Sequence, residues 1–295
     1  MAIDAGTTPM TGERAVARIR SLVPGLVASE ARVAEAVLAD PAAVVHKTAS
    51  ALGHEAGTSA TTVIRFARSV GFPGFQSLAL SLGTAAPRLR SAGPALTPGA
   101  GIREIAALVA RDGADAVGEI PDVIDVAALE RSVAALRDAD HILVVGQGMT
   151  APIAADGAFR LAHMGLPAEA PLDPHVQRAR ARALGPLDVC WVVMHGGTLP
   201  ALVGCARDAR AREAVVVALT SHDRTPLTAV ADHALVVGAD TTRSGVRAWA
   251  SRLAHLAVVD MVVLALLHGD DPLVGGSGRL TSALDSFADV LEDEA

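Results

Sequence analysis

The stretch from Ala49 to Leu82 restricts the possible folds of this chain more than any other. Between residues 59 and 70, the apolar side chains recur at the spacing of one buried helix face, namely Val63, Phe66, Ala67 and Val70. Ser59 is expected to cap the N-terminus of this helix by accepting a backbone N–H bond, and Gly71 to end it in the left-handed conformation. The pattern therefore predicts a helix that is bounded at both ends.

A second, shorter helix is predicted immediately before it, over residues 48–56, with Ala49 and Leu52 facing inward. Gly57 supplies the tight turn between the two helices. Gly53, inside the shorter helix, is expected to cost on the order of 1 kcal/mol of helix stability. Two helices joined in this way are typical of the helix-turn-helix, which places its second helix in the major groove of DNA.

The run from Leu52 to Phe75, L-x-x-x-A-G-T-S-x-x-T-V-I-R-F-A-x-x-x-G-F-x-G-F, resembles the N-terminal domain of RpiR-type bacterial transcriptional regulators. Thr58 stands where the family usually has Val, which weakens the hydrophobic staple against Val63. In such a regulator, we expect the front of the second helix to face the bases of double-stranded DNA and the flanking cations to lie nearer the phosphates. The residues expected at this interface are Lys47, Ser59, Thr61, Thr62, Arg65 and Arg68.

The charge of the chain is distributed unevenly. The 295 residues are 51% hydrophobic and 19% charged, which excludes a disordered or fibrous chain, and the net charge is −7. Residues 1–92 nevertheless carry nine Lys and Arg against six Asp and Glu, whereas residues 93–295 carry sixteen against twenty-six. The basic end coincides with the helix-turn-helix, which supports a DNA partner. With 2% aromatic residues, base-stacking platforms for single strands or RNA are not expected.

Cysteine usage and hydropathy indicate the compartment. Cys190, in a predicted strand, and Cys205, in a predicted helix, provide neither a disulfide framework nor metal-ligand spacing. No signal-peptide pattern opens the chain. The apolar segment 253–267 is interrupted by His255 and Asp260 and is too short to span a bilayer, so we expect a buried helix there. These features predict a cytoplasmic protein with no membrane partner, no metal and no cofactor.

The pattern of apolar residues changes along the chain and divides it into domains. We expect a tail over residues 1–12, a helix-turn-helix domain over 13–82, a linker rich in Pro, Gly and Ala over 83–101, a ligand-binding domain over 102–288 and an acidic tail over 289–295.

Helices are predicted over residues 13–27, 29–38, 75–82, 102–117, 126–137, 150–164, 199–212 and 246–268. Strands or extended segments are predicted over 141–145, 167–171, 189–194, 214–219 and 234–237. The continuous apolar runs of these strands indicate burial on both faces. The predicted fold class is α + α/β, with an all-α helix-turn-helix domain, a linker and a doubly wound parallel sheet flanked by helices.

A first candidate ligand-binding loop is the turn that contains Gly146, Gly148 and Thr150. It lies between a buried strand and a helix N-terminus, where backbone N–H groups and the helix dipole favour an anion. Residues 141–260 resemble the SIS (sugar isomerase) domain that follows the helix-turn-helix in RpiR-type regulators, through this turn and the motifs Leu172-Asp173-x-His175, Asp188-Val189, Leu219-Thr220-Ser221, Ala231-Asp232 and Ser251-Arg252. The resemblance implies a phosphorylated sugar as ligand, held by two loops.

Five further residues belong to these motifs. His175, just before a helix, is a possible ligand contact according to the resemblance. Thr220 and Ser221 end a strand at the carboxyl edge of the sheet, where ligands of open α/β folds bind. Ser251 and Arg252, on the long last helix, are expected to serve packing or a dimer interface rather than the ligand.

The second loop departs from the family. Where the family has Ser-x-Ser-Gly-x-Thr after the central strand, residues 194–199 read Met-His-Gly-Gly-Thr-Leu, so both serines are lost and Thr198 stands one place early. His195 can donate a hydrogen bond in their place, and Gly196 and Gly197 can offer backbone N–H groups. Two alternatives stay open at this point: the site binds a sugar phosphate through these groups, or it binds something else or nothing.

The leading hypothesis is a non-enzymatic DNA-binding regulator whose SIS domain senses a small metabolite, with a sugar phosphate expected, and controls carbohydrate-related genes. Because one helix-turn-helix is too small to hold an operator tightly, we expect a homodimer or homotetramer that reads a palindrome. One alternative is a sugar-phosphate isomerase with His175 or His195 as the base. Another is an effector-independent regulator that uses the SIS fold as a dimerisation scaffold.

Overall fold

The structure of the chain, a computed structural model, describes residues 11–89, 99–238 and 250–268. The expected acidic tail, most of the expected N-terminal tail and the middle of the expected linker lie outside these residues. The described residues group into two compact units, one over residues 11–89 and 99–123 with Gly238, and one over residues 124–237 and 250–268.

The first unit consists of helices, as predicted for the N-terminal part of the chain. Its described helices are α1 (Gly12–Leu22), α2 (Ala28–Ala39), α3 (Ala49–Glu55), α4 (Ala60–Val70), α5 (Phe75–Leu89), α6 (Ile102–Gly118) and α7 (Ile120–Val123). Two 3-10 helices, Val23–Gly25 and Pro41–His46, connect α1 to α2 and α2 to α3. Helices α1 to α5 share one core, whose buried residues include Ile19, Val37, Leu52, Phe66 and Leu78.

Two helices of this unit end elsewhere than predicted. The first helix was expected to reach residue 27 but ends at Leu22, because Pro24 lacks a backbone N–H and begins a 3-10 turn. Helix α5 was expected to end at residue 82 but continues to Leu89, so the first part of the expected linker is helical. At Gly83 an added Cβ would lie 2.8 Å from Cγ2 of Val45. The small residue therefore allows α5 to pack closely on the preceding 3-10 helix.

The second unit is a parallel sheet with helices on both faces, which confirms the predicted α/β class. Its strands are β1 (His141–Gly146), β2 (Ala168–Glu169), β3 (Asp188–Val193), β4 (Val215–Thr220) and β5 (His233–Val236), in the order β2-β1-β3-β4-β5 with every neighbouring pair parallel. Its described helices are α8 (Val126–Arg137), α9 (Ala151–His163), α10 (Pro174–Ala183), α11 (Pro200–Arg210) and α12 (Ser251–Leu267). A helix was expected after His175, but the sequence analysis gave no bounds for helix α10, because its sequence PHVQRARARA has little apolar periodicity.

Both faces of the sheet are covered. On one face, Cys190 and Val192 of β3 belong to a core cluster that includes Ala181 of α10 and Leu202 of α11. On the other face, an added Cβ at Gly157 of α9 would lie 3.7 Å from the ring of Trp191, so this helix approaches the sheet closely. This arrangement is the predicted doubly wound sheet.

The described residues were also searched for membrane spans and metal clusters. Across residues 11–89, 99–238 and 250–268, none of the helices has the length and apolarity needed to cross a bilayer. Within the same ranges, no group of three or more His, Cys, Asp or Glu side chains is placed to hold a metal ion.

Candidate functional site

Helix α4 begins and ends where the sequence predicts. The hydroxyl of Ser59 accepts a hydrogen bond from the backbone N–H of Thr62 at 3.3 Å. Gly71 adopts φ 108° and closes the last turn. The four apolar residues of the predicted inner face are all buried, namely Val63, Phe66, Ala67 and Val70. The opposite face of α4 is consequently presented outward from its core.

The turn between α3 and α4 is stabilised by its own glycine and by hydrogen bonds from a residue of α2. Gly57 has φ +61°, which a residue with a side chain rarely adopts. From α2, Nε of Arg32 donates to the carbonyl of Ala56 at 3.1 Å, and its Nη2 donates to the carbonyl of Gly57 at 3.2 Å. Arg32 is a residue of the helix-turn-helix that the sequence reasoning did not find, because no spacing rule connects α2 to the turn.

Gly53 has a packing role that its helix propensity does not reveal. An added Cβ there would lie 3.0 Å from the backbone carbon of Ser59 and 3.1 Å from the backbone nitrogen of Ala60. Helix α3 therefore crosses the start of α4 with backbone almost in contact. The absence of a side chain at Gly53 permits this crossing, in addition to its expected cost in helix propensity.

Five of the six residues predicted to contact DNA belong to α4 or its cap. Thr61, Arg65 and Arg68 are exposed, and Thr62 is half-buried with its hydroxyl 3.1 Å from that of Ser59. The sixth residue, Lys47, lies before α3 and forms an ion pair with Glu55 at 2.6 Å. Arg65 is bonded to the carboxylate of Glu30. Contact of these side chains with DNA stays a prediction.

In the second unit, the two candidate loops meet at one cavity of about 390 Å³. The loops follow β1 and β3, which are neighbours in the sheet and whose connections leave in opposite directions. A sheet binds ligands by preference at such a point, outside the carboxyl ends of its strands. The cavity is lined by Gln147, Met149, Thr150, Met194, His195, Gly196, Thr198, Leu199, Pro200, Leu202, Ser251, Arg252 and His255.

The first loop is closed by its own side chains. The hydroxyl of Thr150 donates to the carbonyl of Gln147 at 3.1 Å and accepts from the N–H of Gln147 at 3.2 Å. The side-chain amide of Gln147 donates to that of buried Gln177, which in turn donates to the carbonyl of Gly146 at 2.9 Å. Gly148 has φ +58°, as the tight turn requires. Hydrogen bonds therefore fix the loop without a ligand.

The second loop owes its shape to Gly197. This residue has φ +67°, and an added Cβ would lie 2.3 Å from Oγ1 of Thr225. Its carbonyl accepts a hydrogen bond from the N–H of Leu227 at 3.1 Å. Gly196, by contrast, lines the cavity, and an added Cβ there would meet nothing nearer than Oγ1 of Thr198 at 3.8 Å. Gly197 therefore determines the conformation of the loop, whereas Gly196 contributes to the lining of the cavity.

The structure brings together only part of the predicted ligand set. Of those residues, the ones that line the cavity are Thr150, His195, Gly196 and Thr198. Gly146, Gly148, Gly197, Thr220 and Ser221 belong to the loops and strand ends around it but are not among the lining residues. His175 lies in the first turn of α10 rather than before it, is exposed, and is likewise not a lining residue. Its ligand role stays a prediction.

Helix α12 contributes three lining residues, Ser251, Arg252 and His255. Ser251 and Arg252, which were expected to serve packing or a dimer interface, both line the cavity, and their role stays a prediction. His255 carried one signal in the sequence, as a histidine that interrupts an apolar segment. Nothing in the sequence connected it to a loop some sixty residues earlier, although the sheet edge brings the two together.

A cluster of histidines lies at the base of the cavity. Nδ1 of His195 is 2.9 Å from the hydroxyl of Ser221, and Nε2 of His255 is 3.1 Å from the same hydroxyl. The ring of His222 stands edge-on to that of His195, with centroids 5.1 Å apart. Burial lowers the pKa of His255 to about 3, and the neighbouring His195 and His222 add to this effect. His255 is therefore neutral at physiological pH.

Comparison with known families gives two matches along the chain. The helix-turn-helix domain of the rpiR family matches residues 14–86, and the SIS domain matches residues 135–265. The HTH-type transcriptional regulator HexR of Escherichia coli is 30% identical over 83% of this chain and 85% of its own length. An uncharacterized HTH-type transcriptional regulator of Caldanaerobacter subterraneus is 26% identical over 84% of this chain and 89% of its own length.

Among solved structures, the NanR protein of Vibrio vulnificus in complex with ManNAc-6P is similar in fold. It superposes with a TM-score of 0.57 at 24% identity and covers 95% of this chain and 99% of its own. Since the identity is low, this similarity concerns the fold.

Proposed function

Because the chain belongs to the rpiR family of helix-turn-helix transcriptional regulators, we propose that it binds an operator through α4 and senses a phosphorylated sugar in the cavity of its SIS domain. The observation that carries the effector half is the meeting of both candidate loops and α12 at one cavity on the carboxyl edge of the sheet. A relative in fold, NanR, is known in complex with ManNAc-6P. The proposed consequence of binding is control of carbohydrate-related genes.

For the DNA half, we assign base contacts to Thr61, Thr62 and Arg65, and phosphate contacts to Arg68 and Lys47. An arginine that bonds guanine through two N–H groups contributes about 1–3 kcal/mol of discrimination. Since one helix-turn-helix buries too little DNA surface for tight binding, the functional unit is a homodimer or homotetramer on a palindrome. Such a regulator acts in the cytoplasm, with the DNA.

For the effector half, the groups available in the cavity suit an anionic ligand. Arg252, a cationic residue of α12, lines the cavity, and the second loop contributes His195, Gly196 and Thr198 to its lining. Together these donors replace the serine hydroxyls that the second loop lacks.

The isomerase alternative receives less support from the cavity. Interconversion of an aldose and a ketose needs a base and usually a partner acid to move protons between adjacent carbons. Among the described residues that line the cavity there is no Asp or Glu. Turnover of fructose 6-phosphate by the purified chain would reverse this ranking.

The proposal is tested with the full chain and two measurements. Sequencing of genomic fragments captured by the purified protein yields the operator, whose affinity is then measured by fluorescence anisotropy with and without a panel of phosphosugars. We expect one phosphosugar to change the affinity for DNA, and to stabilise the chain by about 2.7 kcal/mol at a hundredfold excess over Kd. Thr61→Ala should weaken operator binding, whereas Arg103→Ala, at an exposed arginine of α6, serves as the control. If DNA binds specifically but no phosphosugar has an effect, the SIS domain acts as a scaffold or senses another ligand.

A further inference from the structure

The hydroxyl of Ser221 is shared by two imidazole rings beneath the cavity. It lies 2.9 Å from Nδ1 of His195 and 3.1 Å from Nε2 of His255. Ser221 and His255 are fully buried, and both histidines are among the residues that line the cavity. Within the residues that the structure describes, these rings are the hydrogen-bond partners of the hydroxyl, and no third partner is found.

A hydroxyl carries one proton, so it can donate to only one of the two rings. The other ring must then donate to the hydroxyl oxygen, because two unprotonated nitrogens cannot both be satisfied by one O–H group. The two histidines are therefore held in opposite roles. The ring that donates to Ser221 carries its proton on the bonded nitrogen. The other ring accepts from Ser221, so in its neutral form it carries its proton on the second nitrogen.

The second nitrogen of His255 decides between the two arrangements. Its Nδ1 is buried and has no hydrogen-bond partner among the described residues. A proton on Nδ1 would create a buried N–H group without an acceptor, which native proteins rarely contain. The proton of the neutral ring therefore belongs on Nε2, where it is donated to Ser221. The hydroxyl of Ser221 then donates to Nδ1 of His195.

We propose that His255 is a positioning residue that acts through Ser221 to fix His195 as the neutral tautomer with its proton on Nε2. The cavity then offers a neutral imidazole N–H donor, and its proposed acceptor is an oxygen of a phosphate ester. Only the identity of this ligand rests on the proposed function, since the tautomer follows from the hydrogen bonds of the unliganded chain.

The hydrogen bonds that lead from His255 through Ser221 to His195, here called the relay, also disfavour the cationic form of His195. An imidazolium carries protons on both nitrogens, so Nδ1 would donate to Ser221 and the hydroxyl would turn towards His255. His255 would then have to move its own proton to the unpartnered Nδ1. The titratable and charged groups that the structure places near His195 include His222, whose ring centroid is 5.1 Å away, and Arg252, which also lines the cavity. The positive charge of Arg252 opposes a second positive charge on His195.

The test is the tautomer of His195 in the full chain, labelled with ¹⁵N-histidine and measured without ligand by long-range ¹H–¹⁵N correlation at pH 7. The signals of His195 are assigned by their loss in His195→Gln. We expect Nδ1 to resonate as an unprotonated nitrogen and Nε2 as a protonated one. An imidazolium, or a proton on Nδ1, would overturn the proposal.

Three variants separate the relay from general packing. Ser221→Ala should convert His195 to a mixture of tautomers, and His255→Leu should do the same. His255→Gln should retain the wild-type tautomer, because its side-chain amide can still donate to Ser221. Ser132→Ala is the matched control, since Ser132 is equally buried and its hydroxyl donates to the carbonyl of Ala128 at 2.8 Å. An unchanged tautomer in Ser221→Ala would contradict the relay.

Titration with inorganic phosphate as the probe connects the relay to binding. We expect phosphate to shift the His195 signals in the wild type, and to do so at higher concentration in Ser221→Ala. If the tautomer is as proposed but no phosphosugar affects DNA binding, the relay stands and the proposed function fails. If a phosphosugar acts on a chain whose His195 carries its proton on Nδ1, the relay fails and the function stands.

Discussion

The guanidinium of Arg65 lies 2.5 Å from the carboxylate of Glu30, so an ion pair joins the outward face of α4 to α2. The carboxylate is 9% exposed, and it also accepts a hydrogen bond from the hydroxyl of Ser69 at 3.4 Å. A carboxylate at this depth requires partners. Arg65 therefore has a structural role in addition to the base-reading role that the sequence predicts.

Arg65→Ala is expected to lower the free energy of unfolding by about 1–2 kcal/mol, because it removes a charged hydrogen bond from a buried carboxylate. Urea denaturation monitored by circular dichroism measures the loss. Arg68→Ala is the matched control, since its Nε reaches only the carbonyl of Pro73 at 3.4 Å, and its effect should stay within about 0.5 kcal/mol. Equal losses in the two variants would mean that the pair contributes nothing. Undiminished specific DNA binding by Arg65→Ala in a gel shift would remove this residue from base reading.

Gly53→Ala is expected to destabilise the first unit by about 1 kcal/mol, although alanine is the better helix former by a similar amount. The new Cβ would lie 3.0 Å from the backbone of Ser59, and backbone at this crossing cannot move aside cheaply. Gly74→Ala is the control, because an added Cβ there meets nothing within 4 Å. Thermal unfolding of both variants decides the matter, and a rise in Tm for Gly53→Ala would show that propensity outweighs the contact.

Gly197→Ala is expected to cost about 2–4 kcal/mol of stability, since it combines a left-handed backbone with a collision against Thr225. Gly196→Ala, one residue earlier, should cost less than about 1 kcal/mol, because its Cβ would point to open space 3.8 Å from the nearest atom. Denaturant titration of the two variants provides the comparison. Similar stabilities would contradict the different roles assigned to the two glycines.

The buried His255 should make folding less stable in mild acid. Its pKa is lowered to about 3 in the folded chain, whereas an unfolded chain has about 6.5, so between these values the unfolded state binds the additional proton. The contribution of neutral His255 to the free energy of unfolding is complete above pH 6.5 and is lost as the pH falls towards 3. Between pH 7 and pH 5, the free energy of unfolding should fall by about 2 kcal/mol. The measurement compares denaturant unfolding of the wild type and His255→Gln at both pH values. The same pH dependence in both proteins would refute this assignment.

The local elements of the fold were predictable where periodicity and caps agree. Helix α4 is an example, because its four inward residues, its Ser59 cap and its Gly71 end all indicate the same boundaries. Prediction failed where packing overrides local pattern. The glycine and alanine content after residue 82 favours a linker, but α5 continues to Leu89 and packs closely on Val45 at Gly83. Helix α10 was expected after His175 but without bounds, because its exposed face of arginines obscures the short buried stripe of Gln177 and Ala181.

The candidate cavity was predictable only in part, because it combines neighbours in sequence with neighbours in space. The loop after β1 and the loop after β3 each have a local signature, and the rule that parallel strands end at one edge places them together. His255 and Arg252 come from α12 and reach the cavity only through the folding of that helix along the sheet. Nor does the sequence reveal that Ser221 connects two histidines, since that depends on distances of about 3 Å between three separate elements.

The bond from Arg32 to the turn has a mechanical consequence. Together with the pair of Arg65 and Glu30, it connects α2 both to the turn between α3 and α4 and to α4 itself. Tilting α4 alone would break both attachments and open the core around Phe66. In the proposed dimer, the two copies of α4 would have to lie about 34 Å apart, one helical turn of DNA, to read both half-sites. The proposed effector would then release DNA by changing the distance or angle between the two copies of α2, α3 and α4.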